Sequence, residues 1–136
     1  MDKIPRVGIG VIIRNKGKVL LIKRKNSHGD GTWAFVGGHL EFGESPEVCA
    51  KREVFEEVEI KIKNPRVTVF TNDFFKKEKK HYITIYVLAD FDGGEVKIKE
   101  PNKVEKFGWF KWRSFPSPLF IPLKNLRKTR FNPFKT

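Results

Sequence analysis

A chain of 136 residues with 39% hydrophobic content can bury one core and is short for two, so a single domain over residues 1–136 is expected. Its formal net charge of +12, from 28 Lys and Arg against 16 acids, predicts attraction to an anionic partner, and its single cysteine, Cys49, excludes an internal disulfide framework. No apolar run is long enough to span a bilayer, and Met1-Asp2-Lys3 leads straight into an alternating apolar pattern, so no membrane segment, no secretory leader and a cytoplasmic location are expected.

In chain order, residues 7–13 and 19–22 are β-branched and apolar, and Lys16-Gly17 between them predicts a hairpin of two buried strands. A turn-rich loop over 27–31 leads to a short apolar strand at 32–36, which runs into Gly37-Gly38. The periodicity then changes. Ser45 reads as an N-cap and Pro46 as the first helical residue, which predicts a helix over 46–58. Two long strands follow at 66–75 and 81–91, joined through a solvated tip rich in lysine at 76–80. Residues 96–98 alternate as an edge strand should, 107–112 predict a last strand, and 123–128 a short basic helix after three prolines. This order implies an α/β fold, a mixed sheet with a helix on at least one face.

One stretch runs against the overall charge. Residues 38–60 hold seven Glu. On a helix, Glu53, Glu56 and Glu57 share one arc because i, i+3 and i+4 are neighbours, while Ala50, Val54 and Val58 make an adjacent apolar stripe. Like charges at this spacing destabilise a helix unless solvent, a basic partner or a cation relieves them. A solvated acidic face is the simpler reading of such a cluster alone. Gly37-Gly38 just ahead changes the balance, since bare backbone can approach a ligand closely and offer a carbonyl. Hard divalent cations prefer such oxygens and complete their shells with phosphate, so the pattern points to a metal site for a phosphate-bearing substrate.

The same residues carry a resemblance. Gly38, Glu44, Arg52, Glu53, Val54, Glu56, Glu57 and Ile60 occur at the spacings of the G-x5-E-x7-R-E-U-x-E-E-x-G-U signature of the Nudix hydrolases, where U is a bulky aliphatic residue. Glu59 departs from it where a glycine is usual, which puts the end of the helix in question rather than the chemistry. The stretches GTWAFVGGHLEFGES, HYITIYV, EPNKVEKFGWFKW and NPFK extend the likeness to the small MutT-like branch that includes 8-oxo-dGTP and dCTP hydrolases and plant geranyl diphosphate hydrolases.

The resemblance implies the Nudix fold, an α/β/α sandwich around a mixed β-sheet, and a Mg²⁺- or Mn²⁺-dependent pyrophosphohydrolase acting on nucleoside di- or triphosphates. By similarity Glu53, Glu56 and Glu57, with the Gly38 carbonyl, would hold the metal. Glu53 or Glu56 would activate water, Arg52 would pair with the carboxylates, and Glu44 would brace Arg52. Glu105 is the expected further metal ligand, with Glu100 competing for the role. Arg24, Gly37 and His39 are candidate phosphate contacts, and Thr84 and Phe120 candidate walls of a base pocket. Trp109 and Trp112 read as core, His28 and His81 as loop or strand-end residues, and Cys49 as packing.

Two alternatives stand beside this reading. A prenyl diphosphate such as geranyl diphosphate would use identical metal chemistry with apolar pocket walls. A nucleic-acid binder is suggested by the basic tail with Lys124, Arg127, Lys128, Arg130 and Lys135, but the cations are spread along the chain and no known nucleic-acid module is present, so this is not the expected main role. Relatives often dimerise, which leaves a homodimer open.

Overall fold

The computed structural model describes residues 3–135; Met1 and Asp2, on which the leaderless reading partly rests, and Thr136 lie outside the described residues. Nine elements follow one another: β1 (Arg6–Asn15), β2 (Lys18–Arg24), β3 (Trp33–Ala34), β4 (Val36–His39), α1 (Pro46–Val58), β5 (Ile62–Phe75), β6 (Lys80–Phe91), β7 (Val104–Lys111) and α2 (Ile121–Arg127).

The β1–β2 hairpin turns at Lys16 and Gly17, both at positive φ (52° and 78°), the conformation that a two-residue turn between right-twisted strands requires. The strands form a mixed sheet in the order β3-β2-β1-β6-β5. β1 and β6 run parallel, with Arg6 opposite Tyr82 and Arg14 opposite Asp90, whereas the other pairs are antiparallel. β1 divides its length between two partners: Gly8 to Val11 pair with β4, and Arg14 and Asn15 with β2. β7 pairs with β2 along its whole length, from Lys18 to Arg24.

Strand alternation sends side chains to two cores. Ile9, Val11, Ile13, Leu20 and Ile22 pack against Ala50, Val54 and Val58 of α1. Ile12, Val19, Leu21 and Leu88 pack on the opposite side against Leu123 and Leu126 of α2. The result is the α/β/α sandwich. α2 has only seven residues, too few to hold a helix by itself, so its place depends on the burial of Leu123 and Leu126, each contributing roughly 1.5–3 kcal/mol. Trp109 packs on Phe91 beside the first core, and Trp112 lies against Phe35, Phe115 and Phe131 beside the second.

α1 spans the residues that its Ser45 cap and Pro46 predict, with Ser45 Oγ accepting from the Val48 N–H at 3.2 Å. Other boundaries differ from the sequence reading. The 32–36 strand is split into β3 and β4 at Phe35, β7 begins three residues earlier than expected, and α2 begins at Ile121. Residues 96–98 are not a strand. Their alternation is real, since Val96 and Ile98 pack on the first core, but the Lys97 and Lys99 amides donate to the Val58 and Glu57 carbonyls at 3.0 and 3.1 Å. This segment caps the end of α1 instead of extending the sheet.

Candidate active site

A cleft of about 770 Å³ opens between the N-terminal half of β1, β4, the acidic face of α1 and the start of α2. Its first wall is α1. Glu53, Glu56 and Glu57 all line it, as the helical spacing demands. Two glycines of β4 let the helix come this close. A Cβ on Gly38 would lie 1.7 Å from Glu53 Oε2, and one on Gly37 would lie 1.9 Å from the Ile9 carbonyl oxygen. The Gly37 N–H donates to Glu57 Oε1 at 3.0 Å, so strand and helix are joined inside the site.

Arg52 organises the mouth. Its Nε and one terminal nitrogen grip both oxygens of Glu44 at 2.7 and 2.9 Å, and its other nitrogen donates to Glu56 Oε1 at 3.2 Å. The Arg52 hydrogen bond holds the Glu44 carboxyl at about 2, below the usual carboxylate range, and in return raises the Arg52 pKa. Cys49 is buried beneath this pair with its thiol near the His39 carbonyl, and burial pushes it up to about 12, so it is packing rather than a nucleophile.

Deeper in, the balance reverses. Burial pushes Glu53 up to about 7 and Glu57 up to about 8; Arg52 opposes the shift in Glu53, and the Gly37 hydrogen bond opposes it in Glu57. Each also feels the charge of Glu100. Glu100 lines the cleft, whereas Glu105 points from β7 to an exposed ion pair with Lys23 at 3.8 Å. Of the two residues expected to compete for a further metal ligand, Glu100 is the one at the cleft, because the chain turns at 100–103 and strand pairing carries Glu105 away from it.

The donor set suits a hard cation: carboxylate oxygens, poorly compensated, facing one space. Among the described residues, however, no three such side chains are already gathered round one point. The reason is visible, since Glu56 is drawn to Arg52 and Glu57 to the Gly37 amide. Burial disfavours the charged forms of Glu53 and Glu57, and a cation in the cleft would favour them.

The far end of the cleft is aromatic. β2 changes register at Arg24, and this residue enters the cleft with its guanidinium 4.1 Å from the centre of the Phe120 ring and Nε donating to the His28 carbonyl at 3.1 Å. His28, expected as a plain loop residue, stands edge-on to Phe75 and Phe120 with centroids 4.8 and 5.5 Å away, and parallel to Tyr82 at 6.3 Å. Its Nδ1 is buried without a hydrogen-bond partner. Burial and the nearby Arg24 lower the His28 pKa, which disfavours a charged ring among these aromatic side chains. His39 stacks on Tyr82 with ring planes 4° apart and bonds its hydroxyl at 3.0 Å.

The floor is Gly8 and Gly10 of β1 beside Thr84 and Tyr86 of β6. Thr84 does not simply face the cleft. Its hydroxyl donates to the fully buried Asp73 at 2.6 Å; Asp73 also accepts from Thr71 at 3.1 Å and from Asn125 of α2 at 2.8 Å. Since Thr71 donates to Asp73, the Tyr86 hydroxyl is the donor in its 3.1 Å bond to Thr71. The network ties β5, β6 and α2 together behind the pocket. Asp73, Tyr82 and His28 were missed in the sequence, although the Tyr82-Thr84-Tyr86 alternation is a signal for one strand face.

The structure thus lines the cleft with Arg24, Gly37, Gly38, His39, Arg52, Glu53, Glu56, Glu57, Thr84 and Phe120, and leaves Glu44 and Glu105 outside the lining. Glu44 and Arg52 stand at the rim as a pair. The family profile of the NUDIX domain matches residues 4–131. The chain belongs to the Nudix family. A MutT NUDIX hydrolase from Burkholderia pseudomallei is similar in structure, with a TM-score of 0.82 and 31% identity over 90% of this chain and 98% of that one. An ADP-ribose pyrophosphatase of Methanocaldococcus jannaschii is 35% identical over 76% of this chain and 61% of its own length. The NAD-capped RNA hydrolase NudC of Chromobacterium violaceum is 30% identical over 82% of this chain and 41% of its own length. This Nudix chain therefore spans about half the length of the curated relatives it matches. Among the described residues, no helix is long and apolar enough to cross a membrane.

Proposed function

We propose that this Nudix protein hydrolyses the diphosphate linkage of a nucleotide substrate in a divalent-cation-dependent reaction. The observation that carries the reading is the pair of carboxylates, Glu53 packed over Gly38 and Glu57 on the Gly37 amide, facing an aromatic slot across one cleft. Glu53, Glu56 and Glu57, with the Gly38 carbonyl, would hold Mg²⁺ or Mn²⁺, which when bound polarises phosphoryl oxygens and acidifies water.

The remaining work falls to side chains. Arg52, fixed by Glu44, sets the position of Glu56 and occupies one of its oxygens. Glu53, packed over Gly38 inside the cleft, is placed to orient the attacking water and take its proton. Arg24 and His39 supply cationic and hydrogen-bonding contacts for phosphate oxygens, and Phe120, Phe75 and His28 enclose the base.

The polar groups in the slot favour a heteroaromatic base over a prenyl chain. The Thr84 hydroxyl is already bonded to Asp73, so the preference rests on the Arg24 guanidinium over Phe120 and the His28 imidazole, polar groups that a prenyl chain would leave against hydrocarbon. The relatives' names place ADP-ribose and NAD-linked substrates ahead of 8-oxo-dGTP and dCTP in the order of testing. The test is Mg²⁺-dependent hydrolysis of a panel of ADP-ribose, NAD, 8-oxo-dGTP, dCTP and geranyl diphosphate, read as nucleoside monophosphate from the nucleotides and as geranyl monophosphate and inorganic phosphate from geranyl diphosphate. Turnover of the nucleotides, lost in Glu53→Gln and with chelation of the cation, is expected; turnover of geranyl diphosphate alone would refute the base-pocket reading.

A further inference from the structure

Outside the cleft, a second groove of about 410 Å³ runs along the edge formed by the start of β1 and the β5–β6 tip. Among the described residues Lys3, Arg6, Lys76, Lys79 and Lys80 line it and no acid does; Glu78 sits on the same tip but outside the lining. Between these cations Phe74, 57% exposed, stacks on His81 with centroids 4.2 Å apart and planes 19° from parallel. An exposed aromatic pair flanked by five cations matches what a single-stranded nucleic acid offers, bases to stack and phosphates to pair.

The groove continues the cleft. Phe75 lines both, its neighbour Phe74 faces the groove, and Arg6 lies opposite Tyr82 of the cleft in the β1–β6 register. A chain attached to a nucleotide in the slot would meet these residues next. A second copy of the protein is a poor occupant, since a two-fold contact would set the same five cations against each other.

We propose that this groove binds the single-stranded oligonucleotide extension of a 5′-capped substrate whose diphosphate lies in the cleft. The assignment rests on the hydrolase reading of the cleft and adds the substrate class. It also moves any nucleic-acid contact from the basic C-terminal tail, where the sequence placed it, to the opposite end of β1.

The test is fluorescence anisotropy of a 3′-labelled, NAD-capped RNA of roughly ten nucleotides, alongside turnover of that RNA and of free NAD and ADP-ribose. Phe74→Ala and Lys76→Glu/Lys79→Glu are the variants; both sites are exposed and neither contacts the cleft. Each is expected to weaken RNA binding on the order of tenfold and to leave turnover of the free dinucleotides unchanged. The double variant should also flatten the salt dependence of binding, by about 0.7 in log–log slope per lysine lost. Inorganic polyphosphate should compete for the lysines but ignore Phe74→Ala. RNA bound no more tightly than NAD, or bound with no response to Phe74→Ala, would overturn the assignment. Turnover of dinucleotides without preference for the RNA sinks the groove and leaves the hydrolase; RNA binding sensitive to both variants, with no diphosphate turned over, does the reverse.

Discussion

Burial sets the behaviour of the two inner carboxylates before any ligand arrives. Glu53 and Glu57 titrate at about 7 and about 8 in the fold, against an ordinary value of about 4.3 in an unfolded chain. Between those values the folded protein holds protons that the unfolded chain has released, so stability is full at low pH, falls as pH rises above about 4.5, and stays low above about 8. A divalent cation replaces those protons. Mg²⁺ is therefore expected to raise Tm clearly at about pH 8.5 and little at about pH 5, by differential scanning fluorimetry. Equal shifts at both pH values would mean that the cation binds elsewhere. Asp73 makes the opposite demand, for it is buried with all its partners in place. Asp73→Ala strands Thr84 and Asn125 and is expected to destabilise by about 3 kcal/mol, measured as urea unfolding. A loss below about 1 kcal/mol would show that water satisfies the network. The acidic residues were legible because helical spacing and the glycine pair are local signals. Asp73, His28 and Tyr82 were not, since their partners come from distant elements and become neighbours only through strand register.

The end of α1 shows how a missing glycine is accommodated. Glu59 adopts the left-handed conformation, φ 57° and ψ 31°, that glycine would take there, and its N–H still donates to the Phe55 carbonyl. The segment 96–99 supplies what compensates it: Lys97 and Lys99 both pair with the Glu59 carboxylate, whose pKa is lowered chiefly by the Lys99 hydrogen bond. These pairs are exposed and salt-screened, so they offset only part of the backbone strain. Glu59→Gly is accordingly expected to match or exceed the wild type in Tm, and Glu59→Ala, which keeps the strain and loses the pairs, to fall below both. Glu59→Gly less stable than Glu59→Ala would show that the lysine pairs outweigh the strain. The same segment explains why its alternation misleads. Period two reports that one face is buried, and residues 96–98 do bury one, but their amides are used by the helix end. Helix α1 was readable to the residue because Ser45 and Pro46 mark its start chemically; no comparable mark separates a strand from an extended cap.

At the scale of the whole molecule, charge is divided between a basic exterior and an acidic inner wall. The net charge of +12 draws anions from a distance, while the carboxylates of α1 repel a phosphate at close range until a cation stands between them. Composition shows the first half of this arrangement and cannot show the second, because it is the fold that turns Glu53 and Glu57 inward and leaves the lysines of the β5–β6 tip outside. The two effects separate by rate constant. Long-range attraction acts on encounter, so with ADP-ribose, too small to reach the outer groove, kcat/KM is expected to fall at least about tenfold between roughly 20 and 200 mM NaCl. The chemistry takes place among buried groups that salt screens weakly, so kcat should change less than about twofold over that range at saturating Mg²⁺. Stopped-flow or steady-state assays at fixed Mg²⁺ resolve both. If kcat carries the salt effect while kcat/KM stays level, the exterior lysines play no part in capture, and the positive charge must instead act at the phosphates through Arg24, Lys99 and Lys103, the cations that line the cleft itself.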